Sequence, residues 1–137
     1  MITDTAESNA RKAKGESLQK DAEAKLKAFF PEFADDFESS PMSAHGEDIR
    51  IKTNKARAAF PFSIEAKWKS KGLSNVYEAY EQAARQTEAL PSTMAITPVA
   101  VIQQEGYDPL IVMGFEDWIT LVAQMHKSTA NINGGGC

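Results

Sequence analysis

The segment Phe60-Pro61-Phe62-Ser63-Ile64-Glu65-Ala66-Lys67-Trp68-Lys69 alternates apolar and polar side chains without a break from Phe62 onward. A period of two is the signature of a strand, with Phe62, Ile64, Ala66 and Trp68 on a core-facing side and Ser63, Glu65, Lys67 and Lys69 on the other. Glu65 and Lys67 therefore project together from one face. A shorter run upstream, Gly46-Glu47-Asp48-Ile49-Arg50-Ile51-Lys52, reads as a second strand over about 47–52 that can pair with the first. Pairing would bring Asp48 alongside Glu65. Glu47 alternates to the opposite face, so only one of the two acids can join.

Two carboxylates at close range suit a hard divalent cation such as Mg2+, which takes oxygen ligands and keeps waters for exchange. Such a cation polarises a phosphate and lowers the pKa of a water it holds. Backbone carbonyls also serve these ions, which adds the carbonyl of Ala66 to the candidate ligands Asp48 and Glu65. Lys67 is placed to orient a water or to offset charge building on a phosphorane.

Asp48, a gap of sixteen residues, then Glu65-Ala66-Lys67 resembles the D…E-x-K core of the PD-(D/E)xK nuclease superfamily. Lys14-Gly15, Ser40-Pro41-Met42 before Gly46-Glu47-Asp48-Ile49, the segment from Phe60 to Lys67, and Glu81-Gln82-Ala83 extend the likeness. Together they resemble a phage-type group of small endonucleases, similar in turn to archaeal Holliday-junction resolvases. The resemblance spans about residues 11–123. It implies a Mg2+-dependent DNA endonuclease, with Mn2+ able to substitute, acting on four-way or other branched DNA. It also implies a homodimer, because symmetric cutting needs two active sites. Asp48, Glu65 and Lys67 would be catalytic, and Gln82 would sit near the scissile phosphate. Relatives often carry an acid on the first helix as a further site group; the alignment puts the neutral Gln19 there, with Glu16 and Glu23 as alternatives about one turn either side. Ser43, His45, Arg50, Lys52, Lys55, Arg57, Lys69 and Lys71 are the candidate contacts to the DNA backbone. Two other functions stay open: another nuclease of the superfamily acting on flaps, ends or duplex, and a nucleic-acid-binding protein that does not cleave.

Net charge is −4 over 137 residues, which weighs against tight nonspecific DNA binding, yet the charge is unevenly placed. Fourteen of the fifteen Lys and Arg residues fall between Arg11 and Arg85, and residues 49–71 hold seven of them against Glu65 alone. A basic face on an acidic protein is compatible with that distribution. The one cysteine, Cys137, excludes an internal disulfide and a cysteine metal cluster. No apolar run approaches the ~20 residues a membrane helix needs, and the N-terminus lacks a secretory layout, so no membrane and a cytoplasmic setting, in a bacterial cell or phage-infected host, are expected. There is no Walker loop, G-x-S-x-G, H-E-x-x-H or dinucleotide fingerprint.

The size suggests a single domain over 1–137, with tails at 1–9 and 128–137. Helical spacing of Ala13, Leu18, Ala22, Leu26 and Phe29 or Phe30 predicts a first helix from Ala10 to Phe30, stopped by Pro31. A helical turn is expected around Phe33–Phe37, and Thr53 or Asn54 would cap a short helix through Ala59. A further helix runs to about Glu88, burying Val76, Tyr80 and Ala83 or Ala84. Strands at 99–103 and 110–113 flank a turn at 105–109. A last helix over 115–127 would share Trp118, Leu121, Val122 and Met125 on one face, with His126 near its C-terminal dipole. The expected class is α/β, a small mixed central sheet flanked by helices in the order α-β-β-α-β-β-α, as in restriction-endonuclease-like folds.

Overall fold

A computed structural model of the chain describes residues 2–41, 45–91, 93 and 95–134. The chain divides into two compact units, one of residues 1–70 and 119–137 and the other of residues 71–118. No helix among the described residues is long and apolar enough to cross a membrane.

The first unit opens with α1 (Ile2–Phe29), which begins eight residues earlier than the apolar spacing predicts. The added turns, Ile2 to Asn9, carry Asp4 and Glu7, acids that favour the N-terminal end of the helix dipole. Burial starts at Gln19 and continues through Ala22, Leu26 and Phe30, a stripe at steps of three or four. Leu18, expected in that stripe, is partly exposed, and a polar residue takes the place beside it. Pro31 ends the helix and opens a 3-10 turn (Pro31–Asp36), near the turn expected there.

Strand β1 (Phe37–Ser39) follows and pairs antiparallel with β2 (Ile49–Ile51) in the register Phe37↔Ile51, Glu38↔Arg50, Ser39↔Ile49. Backbone hydrogen bonds prolong the ladder at both ends, from Ser40 N–H to the Asp48 carbonyl (2.8 Å) and from Lys52 N–H to the Asp36 carbonyl (2.9 Å). Helix α2 (Asn54–Ala59) is capped as the sequence predicts, with the Thr53 hydroxyl accepting from Ala56 N–H at 3.2 Å. The core gathers around Phe30, Phe37 and Phe60, whose ring centroids lie 5.8–6.1 Å apart, two of the three pairs edge-to-face. Leu26, Ile49 and Ala56 are buried in the same unit.

The segment from Pro61 to Lys69 does not form the ladder expected of it. Its alternation is present from Ile64 onward: Ile64, Ala66 and Trp68 are half-buried while Glu65, Lys67 and Lys69 are exposed. Two of its ladder groups are taken by side chains instead of a neighbouring strand. The Phe62 carbonyl accepts from Arg57 Nη1 at 2.8 Å, and Ala66 N–H donates to the Asp48 carboxylate at 2.6 Å. Pro61 has no N–H to offer at the segment's start. One backbone bond to the hairpin joins them, from Asp48 N–H to the Ile64 carbonyl (3.1 Å).

In the second unit α3 (Ser74–Glu88) half-buries Val76, Tyr80, Ala83 and Ala84, as predicted, and packs on β3 (Val99–Ile102). β3 pairs antiparallel with β4 (Leu110–Met113) from Val99↔Met113 to Ile102↔Leu110. The connecting turn needs Gly106, whose φ of 89° disfavours any side chain. The class is therefore α/β, with its strands in two separate two-stranded antiparallel sheets, one per unit, rather than one mixed sheet.

Helix α4 (Phe115–Gly134) runs seven residues past its expected end. From Ile119 it belongs to the first unit, where Ile119, Val122 and Ala123 are buried and His126 lies against the rings of Phe30 and Phe33. Leu121 and Met125, expected in the buried stripe, are 48% and 62% exposed. The stripe is rotated by about one position: His126, hydrogen-bonded to Glu32 at 2.8 Å, is half-buried where Met125 is exposed. Truncating Ile119→Ala should accordingly cost about 2–5 kcal/mol in urea unfolding, whereas Leu121→Ala should cost well under half of that. Equal losses would place the stripe where the sequence alone predicts it.

Candidate active site

Asp48 lies just before β2, where three pieces of chain meet. Its carbonyl accepts from Ser40 N–H and from Gln19 Nε2 (2.7 Å). Its N–H donates to the Ile64 carbonyl, and one carboxylate oxygen, Oδ2, accepts from Ala66 N–H. Gly46, two residues upstream, has a φ of 101°, which turns the chain into this position. The carboxylate is half-buried and keeps its second oxygen for other partners.

The bond to Ala66 N–H seats Asp48 beside the middle residue of Glu65-Ala66-Lys67. Glu65 and Lys67 are both exposed, on the opposite side of the segment from Ile64, Ala66 and Trp68. The side chain of Trp68 is itself steadied, with Lys14 Nζ 4.6 Å from its ring centroid. Asp48 and the E-x-K segment are thus in direct contact through Ala66. Among the described residues no group of three or more His, Cys, Asp or Glu side chains is gathered to hold a metal ion.

Gln19 is 4% exposed and donates through its amide nitrogen to two carbonyls, Ser40 at 2.6 Å and Asp48 at 2.7 Å. At the position where the resemblance implies an acid, this chain has a group that bonds the Asp48 carbonyl. A carboxylate there has no hydrogen to give either carbonyl. Of the alternatives, Glu23 is occupied otherwise, accepting from Ser39 N–H, and Glu16 is exposed on the next turn.

Glu47 and Asp48 have separate tasks, as the alternation predicts. Arg57 Nη2 donates to both Glu47 carboxylate oxygens, at 2.8 and 2.6 Å. That guanidinium holds the Glu47 carboxyl below the usual glutamate range, helped by the Ser63 hydroxyl and opposed by partial burial. Arg57 is therefore not the open DNA contact expected: its other nitrogen, Nη1, is bonded to the Phe62 carbonyl. Arg50 and Lys52 are exposed but each lies 3.4 Å from Glu38 Oε2. Lys55 and Lys69 are exposed in the first unit, and His45 borders a polar depression with Glu38, Arg50 and Lys52. Lys71 and Gln82 are exposed residues of the second unit, Gln82 on α3. Ser43 lies outside the described residues.

Sequence reasoning missed Ser40 and Glu38. Phe37-Glu38-Ser39 is too short for its alternation to stand out, and the Ser40 hydroxyl bond to the Glu47 carbonyl (2.8 Å) has no local signature.

Replacing Gln19 tests its part in the site. Gln19→Ala should cost about 1–3 kcal/mol by leaving buried carbonyls short of a donor. Gln19→Glu should cost more at pH 7, and the excess should shrink below pH 4, where a protonated acid regains one donor. Urea unfolding at the two pH values reads both. A Gln19→Glu protein as stable as wild type at pH 7 would contradict this role.

Comparison with family models, with curated proteins and with solved structures gives no match.

Proposed function

We propose that this chain is a Mg2+-dependent DNA endonuclease of the PD-(D/E)xK type, acting on branched DNA and most simply on a four-way junction. The observation that carries the reading is the bond from Ala66 N–H to the Asp48 carboxylate, which joins Asp48 to the E-x-K triplet across a gap of sixteen residues.

The donor set fits the ion. Mg2+ is commonly held by one or two carboxylates with waters and substrate oxygens rather than by an all-protein cage, so a site without a third acid suits it better than Zn2+ or Ca2+. Asp48 and Glu65 would hold it, with the Ala66 carbonyl assisting. In extended backbone the N–H and carbonyl of one residue face the same edge, so the N–H bond to Asp48 directs the Ala66 carbonyl to the same side. When bound, the ion would supply Lewis-acid polarisation of the phosphate and a more acidic water. Lys67 would orient the attacking water and offset negative charge on the phosphorane. Arg50, Lys52, Lys55 and Lys69 would meet backbone phosphates, which positions DNA by shape rather than by sequence. Two copies of the chain would present two such sites to a symmetric junction.

A non-cleaving DNA-binding protein is the second reading, favoured by the neutral Gln19 where the resemblance implies an acid. A panel of labelled junction, flap and linear duplex, incubated with and without Mg2+, separates the two. The nuclease reading predicts Mg2+-dependent strand scission, strongest on the junction. Asp48→Asn and Glu65→Ala should abolish it, and Lys67→Ala should slow it by roughly 10²-fold or more. Binding without scission, or scission unaffected by these changes, would sink it.

A further inference from the structure

Glu38 faces Arg50 across the β1–β2 pair, and one of its oxygens is shared between Arg50 Nη2 and Lys52 Nζ, each at 3.4 Å. These contacts are longer than the 2.7–2.9 Å of a strong charge-assisted bond, and all three side chains are about half exposed. Such a pair is held weakly and screened by salt. The neighbouring Arg57–Glu47 pair, at 2.6–2.8 Å and reinforced by the Phe62 carbonyl, is of the opposite kind. One acid on this surface is thus locked, and the other is exchangeable.

The exchangeable acid occupies a defined place. The two-residue period puts Arg50 and Lys52 on the side of β2 to which Asp48 belongs, and alternate residues are spaced by roughly 7 Å along a strand. A DNA strand following β2 from Asp48 would set its next phosphates against these two cations. Arg50 and Lys52, with Glu38 itself, also line an open depression of about 530 Å3.

We infer that Glu38 is an intramolecular mask on a phosphate subsite formed by Arg50 and Lys52, and that backbone phosphate displaces it on binding. The inference rests on the endonuclease reading of the same face. The carboxylate keeps the two cations gathered at one point while lowering their attraction for any polyanion. Once displaced, it stays close enough to repel the incoming phosphate. Affinity is thereby held down at a site adjoining the acids that would cut, and a ligand must engage several phosphates at once to hold.

The test is binding of a labelled four-way junction in EDTA, where a Mg2+-dependent enzyme does not cut, over a series of salt concentrations. Glu38→Gln keeps shape and removes charge; it should tighten binding by roughly threefold to tenfold at low salt. It should also steepen the dependence of log K on log salt by up to about one. The gain should vanish in a background carrying Arg50→Gln and Lys52→Gln. Glu7→Gln, which removes an exposed acid from α1, should change little, and an equal gain from Glu7→Gln would show that only net charge matters and overturn the mask. Wild type that cuts the junction with Mg2+ while Glu38→Gln binds no more tightly overturns this proposal alone. Wild type that neither binds nor cuts overturns the endonuclease reading, and the mask with it.

Discussion

Asp48 is tied to the protein on every side that a residue can be. Its carbonyl holds β1 through Ser40 N–H and α1 through Gln19, its N–H holds Ile64, and its carboxylate holds Ala66. In the proposed reading, a carboxylate that holds a cation works best when it is fixed beforehand, since reorganising it costs what its field would gain. The hydrogen bonds around Asp48 supply that fixity from the backbone, the least mobile part of the chain.

The packing beneath explains why a short hairpin can carry such a load. β1 and β2 have three residues each, too little for a stable pair alone. Phe37 and Ile49 anchor them into a core shared with Phe30 and Phe60, so α1 and the end of α2 are joined to the hairpin by aromatic contacts. On α4 Ile119 and Val122 are buried in the same unit, and His126 lies against the Phe30 ring and meets Glu32 at 2.8 Å. The polar network thus sits on top of apolar burial, and neither stands without the other.

Features set by neighbours in sequence were legible before any coordinates. Thr53 caps α2, Gly106 turns the β3–β4 hairpin and α3 half-buries its apolar side, each from a signal a few residues long. Features set by distant partners were not. Gln19 stands in the sequence only as a neutral residue where the resemblance implies an acid, and its two carbonyl partners, 21 and 29 residues away, leave no local signal. The Glu65 segment shows a strand's alternation yet lacks a ladder, because Arg57 and Asp48 side chains occupy its backbone groups. Arg57 looked like one more cation in a basic run until its bond to Glu47 removed it. Of the candidate site, the nearness of Asp48 to the E-x-K triplet was foreseen, while the means of holding it there was not.

The central claim is that Asp48 and Glu65 together hold one divalent cation in the absence of DNA. Backbone amide NMR during Mg2+ titration, repeated with trace Mn2+ to broaden signals near the ion, addresses it without any assumption about substrate. A saturable single site should shift and broaden Asp48, Glu65, Ala66 and Lys67 first, and Glu65→Ala should remove the effect while leaving the remaining spectrum folded. Broadening centred elsewhere, or weak shifts spread over all exposed acids and indifferent to Glu65→Ala, would contradict it.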